Sequence, residues 1–175
     1  MLVDIDVIGI KYFSARVKDR PNDPQATRQD VYYRAIQTLP NSEIILGHYL
    51  THQVRMKLVR PADCHNRNTV EVLKTEEKGS DVNLATHLLV DGFEGRFDCA
   101  IVISNDSDLM LPVKTVKQKL KKLVIILNPH GHNSIQLKKY SHVHKQIRAN
   151  NLADAQFPNQ ISAANGDLIT KPATW

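Results

Sequence analysis

Cysteine is scarce in this chain of 175 residues, occurring only at Cys64 and Cys99. Two cysteines cannot build the disulfide framework typical of small secreted proteins, so we expect a reducing, cytoplasmic environment. The apolar runs are all too short to cross a bilayer, and no charged segment followed by an apolar one opens the chain. The sequence therefore predicts a protein with no membrane segment and no secretory signal.

Several common catalytic motifs are also absent. The chain contains no G-x-S-x-G elbow, no Walker loop and no G-x-G-x-x-G fingerprint. These absences exclude the commonest hydrolase, nucleoside triphosphatase and dinucleotide-binding classes of α/β protein. An acidic excess is lacking too, because the formal net charge is +5, which permits a polyanionic partner without identifying one.

Short apolar stretches alternate with helical patterns along the chain, and its length suits one domain. This alternation predicts a layered α/β fold with a mostly parallel sheet. The predicted strands cover 7–13, 43–51, 69–74, 100–103, 123–127 and 142–147. The predicted helices cover 24–39, 81–91, 109–120 and 134–140. For the second helix we expect Ser80 as cap, Gly92 as stop and a buried stripe of Val82, Ala85, Leu88 and Leu89.

The stretch Cys99–Leu109 carries the strongest chemical signal. Its β-branched run, 100–103, is typical of a buried parallel strand, and small polar residues with two carboxylates, Asp106 and Asp108, follow directly. Ligands of open α/β sheets bind outside the carboxyl ends of the strands. Carboxylates this close need a compensating charge, and Mg²⁺ or Mn²⁺ supplies it well. Helix capping by Asp108, with Asp106 in an Asx-turn, is the alternative interpretation.

A second acidic position, Asp81, follows Lys78 in the segment K-G-S-D. At a helix start its charge is favoured by the helix dipole, which is an ordinary structural role. The functional interpretation places Asp81 beside Asp106 and Asp108, where three carboxylates can hold one or two Mg²⁺ ions. Lys78 then contacts a substrate phosphate or is simply a solvated surface lysine.

Basic residues follow the aspartates and also occupy an early loop. We expect Arg16, Lys18, Lys114 and Lys117 to contact a nucleic-acid backbone, and a solvated helix face is the alternative. Histidines recur as His130-Gly131-His132 and His142-Val143-His144. Together with Cys64 and His65 they suggest a zinc site, but their spacing matches no standard zinc pattern.

The residues of four segments together resemble the bacterial NYN domain, a family of the PIN-like nuclease superfamily. The segments are 11–17 (KYFSARV), 69–82 (TVEVLKTEEKGSDV), 102–109 (VISNDSDL) and 127–130 (LNPH), and the likeness reaches Gln156-Phe157-Pro158 in the tail. The pairing of K-G-S-D with S-N-D-S-D at this separation is specific. The likeness covers nearly the whole chain.

This resemblance implies a PIN-like three-layer α/β/α sandwich over residues 1–149, with 150–175 as a tail packing on the domain or extending from it. It also implies metal-dependent RNA cleavage, with Asp81, Asp106 and Asp108 lining a Mg²⁺ or Mn²⁺ site and Ser104 or Asn105 assisting. Family members normally begin with a strand carrying an aspartate in a D-G-x-N-like motif. Here Asp4 and Asp6 directly precede what looks like the family's second strand, so we expect a shortened form or a reading frame that starts upstream of Met1.

The leading hypothesis is a cytoplasmic metal-dependent ribonuclease. A catalytically weak or inactive nucleic-acid-binding or interaction module on the same scaffold is the first alternative, and a metal-dependent phosphatase is the second. Because the strand at 100–103 and the strand at 8–13 would flank the absent one, we expect self-association or marginal stability. We also expect lower nuclease activity than in a version extended upstream.

Overall fold

A computed structural model describes residues 5–18, 23–59 and 68–173 of the chain. Asp4, Cys64 and His65 lie outside these described residues. The strands are β1 (Ile10–Ala15), β2 (Ser42–Lys57), β3 (Thr69–Lys78), β4 (Cys99–Ile103), β5 (Leu123–Asn128), β6 (Val143–Gln146), β7 (Gln160–Ser162) and β8 (Leu168–Thr170). The helices are α1 (Gln25–Ile36), α2 (Ser80–Phe93), α3 (Met110–Gln118), α4 (Ile135–Tyr140) and α5 (Ala149–Asp154), and a 3₁₀ turn covers Ser107–Leu109. Of the helices in these ranges, none has the length and apolar character needed to cross a membrane.

The first sheet has the order β1-β2-β3. β1 runs parallel to β2, with Ile10 opposite Ser42, and β2 pairs antiparallel with β3, with His48 opposite Lys78. β2 and β3 therefore form a long antiparallel pair. β2 is longer than predicted, because beyond Gly47 it leaves β1 and continues with β3 as a two-stranded ribbon.

The second sheet has the order β4-β5-β6, and all its strands are parallel. One face of this sheet carries the core, where Val102, Val124 and Ile126 pack with Leu88 of α2 and Leu137 of α4. Val113 and Val116 of α3 are completely buried in the same cluster. The chain therefore has a mixed α/β fold with parallel strands, as the alternating pattern predicted.

The opposite face of β4 is open among the described residues. Ile101 is 43% exposed and Ile103 is 61% exposed, whereas Val102 between them is buried. Neighbouring side chains of a strand point to opposite faces, so β4 is covered on one face only. The expectation of fully buried strands at 100–103 and 123–127 is wrong, since Leu123 of β5 is also 53% exposed.

β1 and β4 belong to different sheets and do not pair with each other. Helix α2 connects them, because the Lys11 and Phe13 side chains of β1 contact α2 while Leu88 of α2 packs in the core with Val102 of β4. Tyr12 points the other way and contacts Tyr33 of α1. Helices α1 and α2 thus lie on opposite faces of β1.

Two details of α2 differ from the prediction. The residue before the helix, Gly79, has φ of 101°, a left-handed conformation that favours glycine, and the Ser80 side chain does not cap the helix. Gly92 is buried in the last turn of α2, where a Cβ would lie 2.8 Å from the Leu120 side chain, and the helix ends one residue later, at Phe93. Of the expected buried stripe, Leu88 lies in the core and Ala85 and Leu89 pack against it, which confirms them. Val82 is exposed, and Leu84 packs against the core in its place.

The segment from 150 onward is more ordered than the polar tail that we predicted. It forms α5 and then the antiparallel hairpin of β7 and β8. Ile169 of β8 is buried, and a small apolar cavity lies between this hairpin and α1, lined by Val31, Ala35, Phe157 and Ile161 among others. The C-terminal residues therefore pack on the first helix.

Candidate active site

The acidic loop after β4, residues 104–108, is shaped by its own short side chains. The Asp106 backbone N–H donates to Ser104 Oγ (3.1 Å), and the Asp108 N–H donates to Asp106 Oδ1 (2.9 Å). Asp106 thus forms the predicted Asx-turn and caps the 3₁₀ turn. The alternative in which Asp108 is the cap is wrong, because Asp108 lies inside that first turn. One oxygen of Asp106 remains free of this turn.

Asn105 anchors the acidic loop to α4. Its Oδ1 accepts a hydrogen bond from the Ser134 backbone N–H (2.8 Å), and Ser134 caps α4 through the Leu137 N–H. Asn105 and Ser104 were expected to assist at a metal or substrate. The structure uses the Asn105 oxygen and the Ser104 hydroxyl to fix the loop, which positions the neighbouring aspartates.

Asn128 is a positioning residue that the sequence analysis missed. It ends β5 with no exposed surface, and its amide donates to the His132 carbonyl (2.8 Å) and to Asn133 Oδ1 (3.0 Å). Its own oxygen accepts from the His130 N–H (2.8 Å). The loop that meets Asn105 is thereby held to the end of β5. An asparagine at the end of an apolar run, directly before proline, was the available signal.

Asp81 reaches the same edge of the fold through a tightly packed turn. The β3 end lies so close to β2 that a Cβ on Gly47 would be 2.3 Å from the Lys78 carbonyl oxygen. The Ser80 N–H and hydroxyl both donate to Glu77 Oε1, at 3.2 and 2.7 Å. Glu77 was not predicted as part of the site, although it lies only four residues before Asp81.

The Asp81 carboxyl lies within electrostatic range of the acidic loop. Partial burial, followed by the negative charges of Asp106, Glu77 and Asp108, raises the pKa of the Asp81 carboxyl above its ordinary value. Within the described ranges, no lysine, arginine or histidine lies in ion-pair distance of Asp81, Asp106 or Asp108. The cluster therefore carries negative charge that no basic side chain compensates.

The donor set of this cluster fits a hard cation. Carboxylate oxygens are the ligands that Mg²⁺ and Mn²⁺ prefer, and Mg²⁺ commonly binds through one or two carboxylates while keeping several waters. In the part of the chain that the structure describes, no three His, Cys, Asp or Glu side chains converge closely enough to hold a metal ion by themselves. Asp81, Asp106 and Asp108, whose charges interact at this edge, are the carboxylates that would share such an ion, with water completing its coordination.

The basic residues predicted to bind nucleic acid have different surroundings. Lys117 donates to the Ser141 carbonyl (2.7 Å), and Arg16 lies 3.4 Å from Asp30 and over the Tyr33 ring. Lys114 lies over the Tyr140 ring, and Lys18 is exposed.

Lys78, at the end of β3, already has a carboxylate partner. Its ammonium nitrogen is 3.3 Å from Glu76 Oε2, and Lys74 lies 2.6 Å from the other oxygen of Glu76. Both lysine side chains are partly exposed to solvent, so ion pairs of this kind are weak.

The histidine groups do not form a metal site within the described ranges. His130 and His132 stack with ring centroids 5.7 Å apart, and His142 Nδ1 accepts from the Val124 N–H. Burial raises the pKa of the Cys99 thiol, which disfavours the thiolate that binds metal. Cys64 and His65 lie outside the described residues.

The chain is similar to known proteins in both sequence and fold. It is 27% identical over 184 residues to 6-hydroxy-3-succinoylpyridine 3-monooxygenase HspA of Pseudomonas putida, covering 95% of this chain and 57% of that protein. The chain thus spans little more than half the length of this curated relative. A crystal structure of a protein of unknown function from Vibrio parahaemolyticus has the same fold, with a TM-score of 0.51 at 17% identity over 82% of this chain and 70% of that one.

A model of the NYN domain family matches residues 33–148, which is about two thirds of the chain. The matched region includes the β2–β3 ribbon, all three aspartates of the acidic cluster and the second parallel sheet. The chain therefore belongs to the NYN domain family.

Proposed function

We propose that this protein is a metal-dependent ribonuclease that hydrolyses RNA phosphodiester bonds at Asp81, Asp106 and Asp108. The observation that carries this proposal is that Asp81, Asp106 and Asp108 have no basic partner among the described residues. Partial burial, and then the charges of Asp106, Glu77 and Asp108, raise the pKa of Asp81 in the same arrangement. Carboxylates that repel one another and have no basic partner make the folded state less stable. Such uncompensated charge is typical of functional sites, where a ligand supplies the opposite charge.

The proposed metal is Mg²⁺ or Mn²⁺, which activates a water and stabilises the leaving oxygen of a phosphodiester when bound. The chain's own residues supply the frame. Asp106 Oδ1 accepts the hydrogen bond of the Asx-turn, so Oδ2 is available to bind a ligand. Asn105 and Asn128 fix the two loops beside it, which limits how far the aspartates move apart.

The proposal includes a PIN-like three-layer arrangement. Its support is the position of α1 and α2 on opposite faces of β1, together with the helices that cover one face of the second sheet. In such an arrangement the acidic cluster lies at the carboxyl ends of the strands, where α/β folds bind ligands.

A nucleic-acid-binding module without catalytic activity is the second proposal. It is favoured by the lack of three convergent metal-binding side chains in the described part of the chain. Basic residues such as Lys114 and Lys18, which have no carboxylate partner among the described residues, would then contact the nucleic acid without any catalysis by the aspartates.

One experiment separates these functions. Labelled RNA and a generic phosphomonoester are each incubated with the protein in EDTA and in Mn²⁺. We expect Mn²⁺-dependent cleavage of the RNA only, reduced at least about 100-fold in Asp106→Asn, because a metal is worth several kcal/mol of transition-state stabilisation. Asn keeps the oxygen that accepts from the Asp108 N–H, so this variant keeps the loop.

The matched control is Asp154→Asn, which removes an exposed carboxylate at the end of α5 and should cleave as the wild type does. RNA binding with no cleavage in any metal would support the binding module. Hydrolysis of the phosphomonoester but not of RNA would support a phosphatase and contradict both proposals.

A further inference from the structure

Two lysines from different helices lie over one aromatic ring near the acidic loop. The Lys114 ammonium of α3 is 5.1 Å from the centroid of the Tyr140 ring, and the Lys139 ammonium of α4 is 5.4 Å from it. The ring is half-buried because Tyr140 packs against the hydrophobic core. We infer that Lys114, Lys139 and Tyr140 form a subsite for the phosphate backbone of RNA. This inference rests on the proposed function and says where the substrate of that function is held.

The charges of these two lysines are uncompensated. Lys11, Lys74, Lys78 and Arg96 each lie within 4 Å of a carboxylate. Lys117 and Lys122 donate instead to backbone carbonyl oxygens. Among the described residues, Lys114 and Lys139 have neither kind of partner, only the ring of Tyr140.

The ring fixes the positions of the two charges without neutralising them. A cation–π contact at a partly exposed site is worth about 0.5–1 kcal/mol, which restrains a flexible lysine but leaves its positive charge intact. Because Tyr140 packs against the core, both ammonium groups are held relative to the sheet. A pre-positioned pair of cations loses less side-chain entropy when it binds an anion.

The location of the pair suits a strand that passes the acidic loop. Both helices begin beside that loop: α3 begins two residues after Asp108, and α4 is tied to Asn105 through Ser134. Lys114 follows Asp108 by six residues, and α4 has six residues from its start to Tyr140. Six residues of α-helix rise about 9 Å, so we place both lysines about that far along the helix axes from the acidic loop. At a rise of about 3.4 Å per stacked nucleotide, the pair lies about three nucleotides from the acids.

Because the acidic cluster is negatively charged, binding of RNA requires cations elsewhere on the surface. The acidic cluster repels phosphates, so the affinity for an RNA strand must come from cations placed away from the reacting bond. Phosphate contacts supply most of the sequence-independent affinity in nucleic-acid complexes. Lys114 and Lys139 are cations with an aromatic support on the two helices that begin beside that loop.

The test measures binding in EDTA, so that it is independent of cleavage. Fluorescence anisotropy of the full chain with a labelled oligouridylate is recorded over a series of salt concentrations. For Lys114→Gln and for Lys139→Gln we expect the slope of log K against log salt to fall by about 0.7 each. Lys57→Gln, which removes an exposed lysine at the far end of β2, is the charge-matched control and should keep the wild-type slope.

A second variant tests the role of the ring. Tyr140→Phe keeps the aromatic face and should bind as the wild type does, whereas Tyr140→Leu keeps an apolar core contact and should weaken binding. A wild-type slope in both lysine variants would overturn the inference, and so would preferential binding of phosphatidylserine vesicles. If both lysine variants show the expected reduced slope but the wild type cleaves no RNA, the proposed ribonuclease activity is overturned and the inferred subsite is still supported.

Discussion

Asn105 Oδ1 accepts a hydrogen bond of 2.8 Å from the Ser134 backbone N–H, 29 residues further along the chain. This contact joins the acidic loop after β4 to the first residue before α4. It couples the position of Asp106 and Asp108 to the packing of α4, whose Leu137 is completely buried in the core.

We therefore expect Asn105→Ala to destabilise the fold by about 1–3 kcal/mol, because it leaves a partly buried N–H without its acceptor. Urea denaturation followed by circular dichroism measures this change. Ser107→Ala, in the same loop, is the control and should lie within about 0.5 kcal/mol of the wild type, since Ser107 is exposed and its hydroxyl makes no hydrogen bond among the described residues. Equal stability of the two variants would show that the hydrogen bond between Asn105 and Ser134 does not contribute to the free energy of unfolding.

Asp81 gives a prediction about pH. Its pKa is raised in the folded protein, so the folded state binds this proton more tightly than the unfolded state does. The ionised group therefore destabilises the protein at neutral pH, and this penalty disappears as the pH falls through the raised pKa towards the ordinary value of 3.8. Asp81→Asn should be more stable than the wild type at pH 7, with a difference that shrinks on acidification.

Denaturation midpoints of the wild type and Asp81→Asn between neutral pH and about pH 4 measure this difference. Asp154→Asn, at the end of α5 and outside the acidic cluster, serves as the control. A difference between wild type and Asp81→Asn that stays constant or grows on acidification would contradict the charge repulsion described for the cluster.

A divalent metal should stabilise the wild type against heat. Binding to the folded state alone raises the free energy of unfolding by about 2.7 kcal/mol at a metal concentration about 100 times Kd. In EDTA, Asp106→Asn and Asp108→Asn should be as stable as the wild type or more so, because they relieve repulsion and the former keeps its cap. In Mn²⁺ we expect the wild type to gain more melting temperature than either variant, and equal gains would exclude these aspartates as ligands.

The open edge and face of β4 predict self-association. β4 pairs only with β5 among the described residues, and Ile103 exposes 61% of its surface beside that edge. Exposed apolar edge strands promote pairing with another chain. Static light scattering should show concentration-dependent growth in mass that Ile103→Lys reduces, while Leu152→Lys, on exposed α5, leaves it unchanged. A monodisperse wild-type monomer would contradict this prediction.

Gly47 is expected to tolerate no side chain. A Cβ there would lie 2.3 Å from the Lys78 carbonyl oxygen and 2.8 Å from Glu77 Oε1, directly behind the turn that carries Asp81. Gly47→Ala should cost about 1–3 kcal/mol of stability through overpacking. Gly131→Ala is the control, since a Cβ at that position meets no atom within 4 Å. Thermal denaturation of both variants measures the difference.

The local elements could be predicted from the sequence because their signals are local. The apolar runs of β4 and β5 and the cap of α4 by Ser134 are each determined within a few residues, by alternation and capping chemistry. The same is true of the Asx-turn of Asp106, which needs only its own side chain and the N–H two residues on. The family, too, is fixed by short motifs around Asp81 and Asp106.

Other features depend on contacts between residues far apart in the chain, and only the tertiary structure decided them. Whether an apolar strand is buried on one face or two depends on which helices pack over it, so the exposure of Ile101 and Ile103 could not be derived from their β-branched run. The pairing of Asn105 with Ser134, and of Lys114 with Tyr140, arises because α3 and α4 pack side by side. The sequence determined which residues carry the charge; the packing of distant elements determined which charges meet and which remain uncompensated.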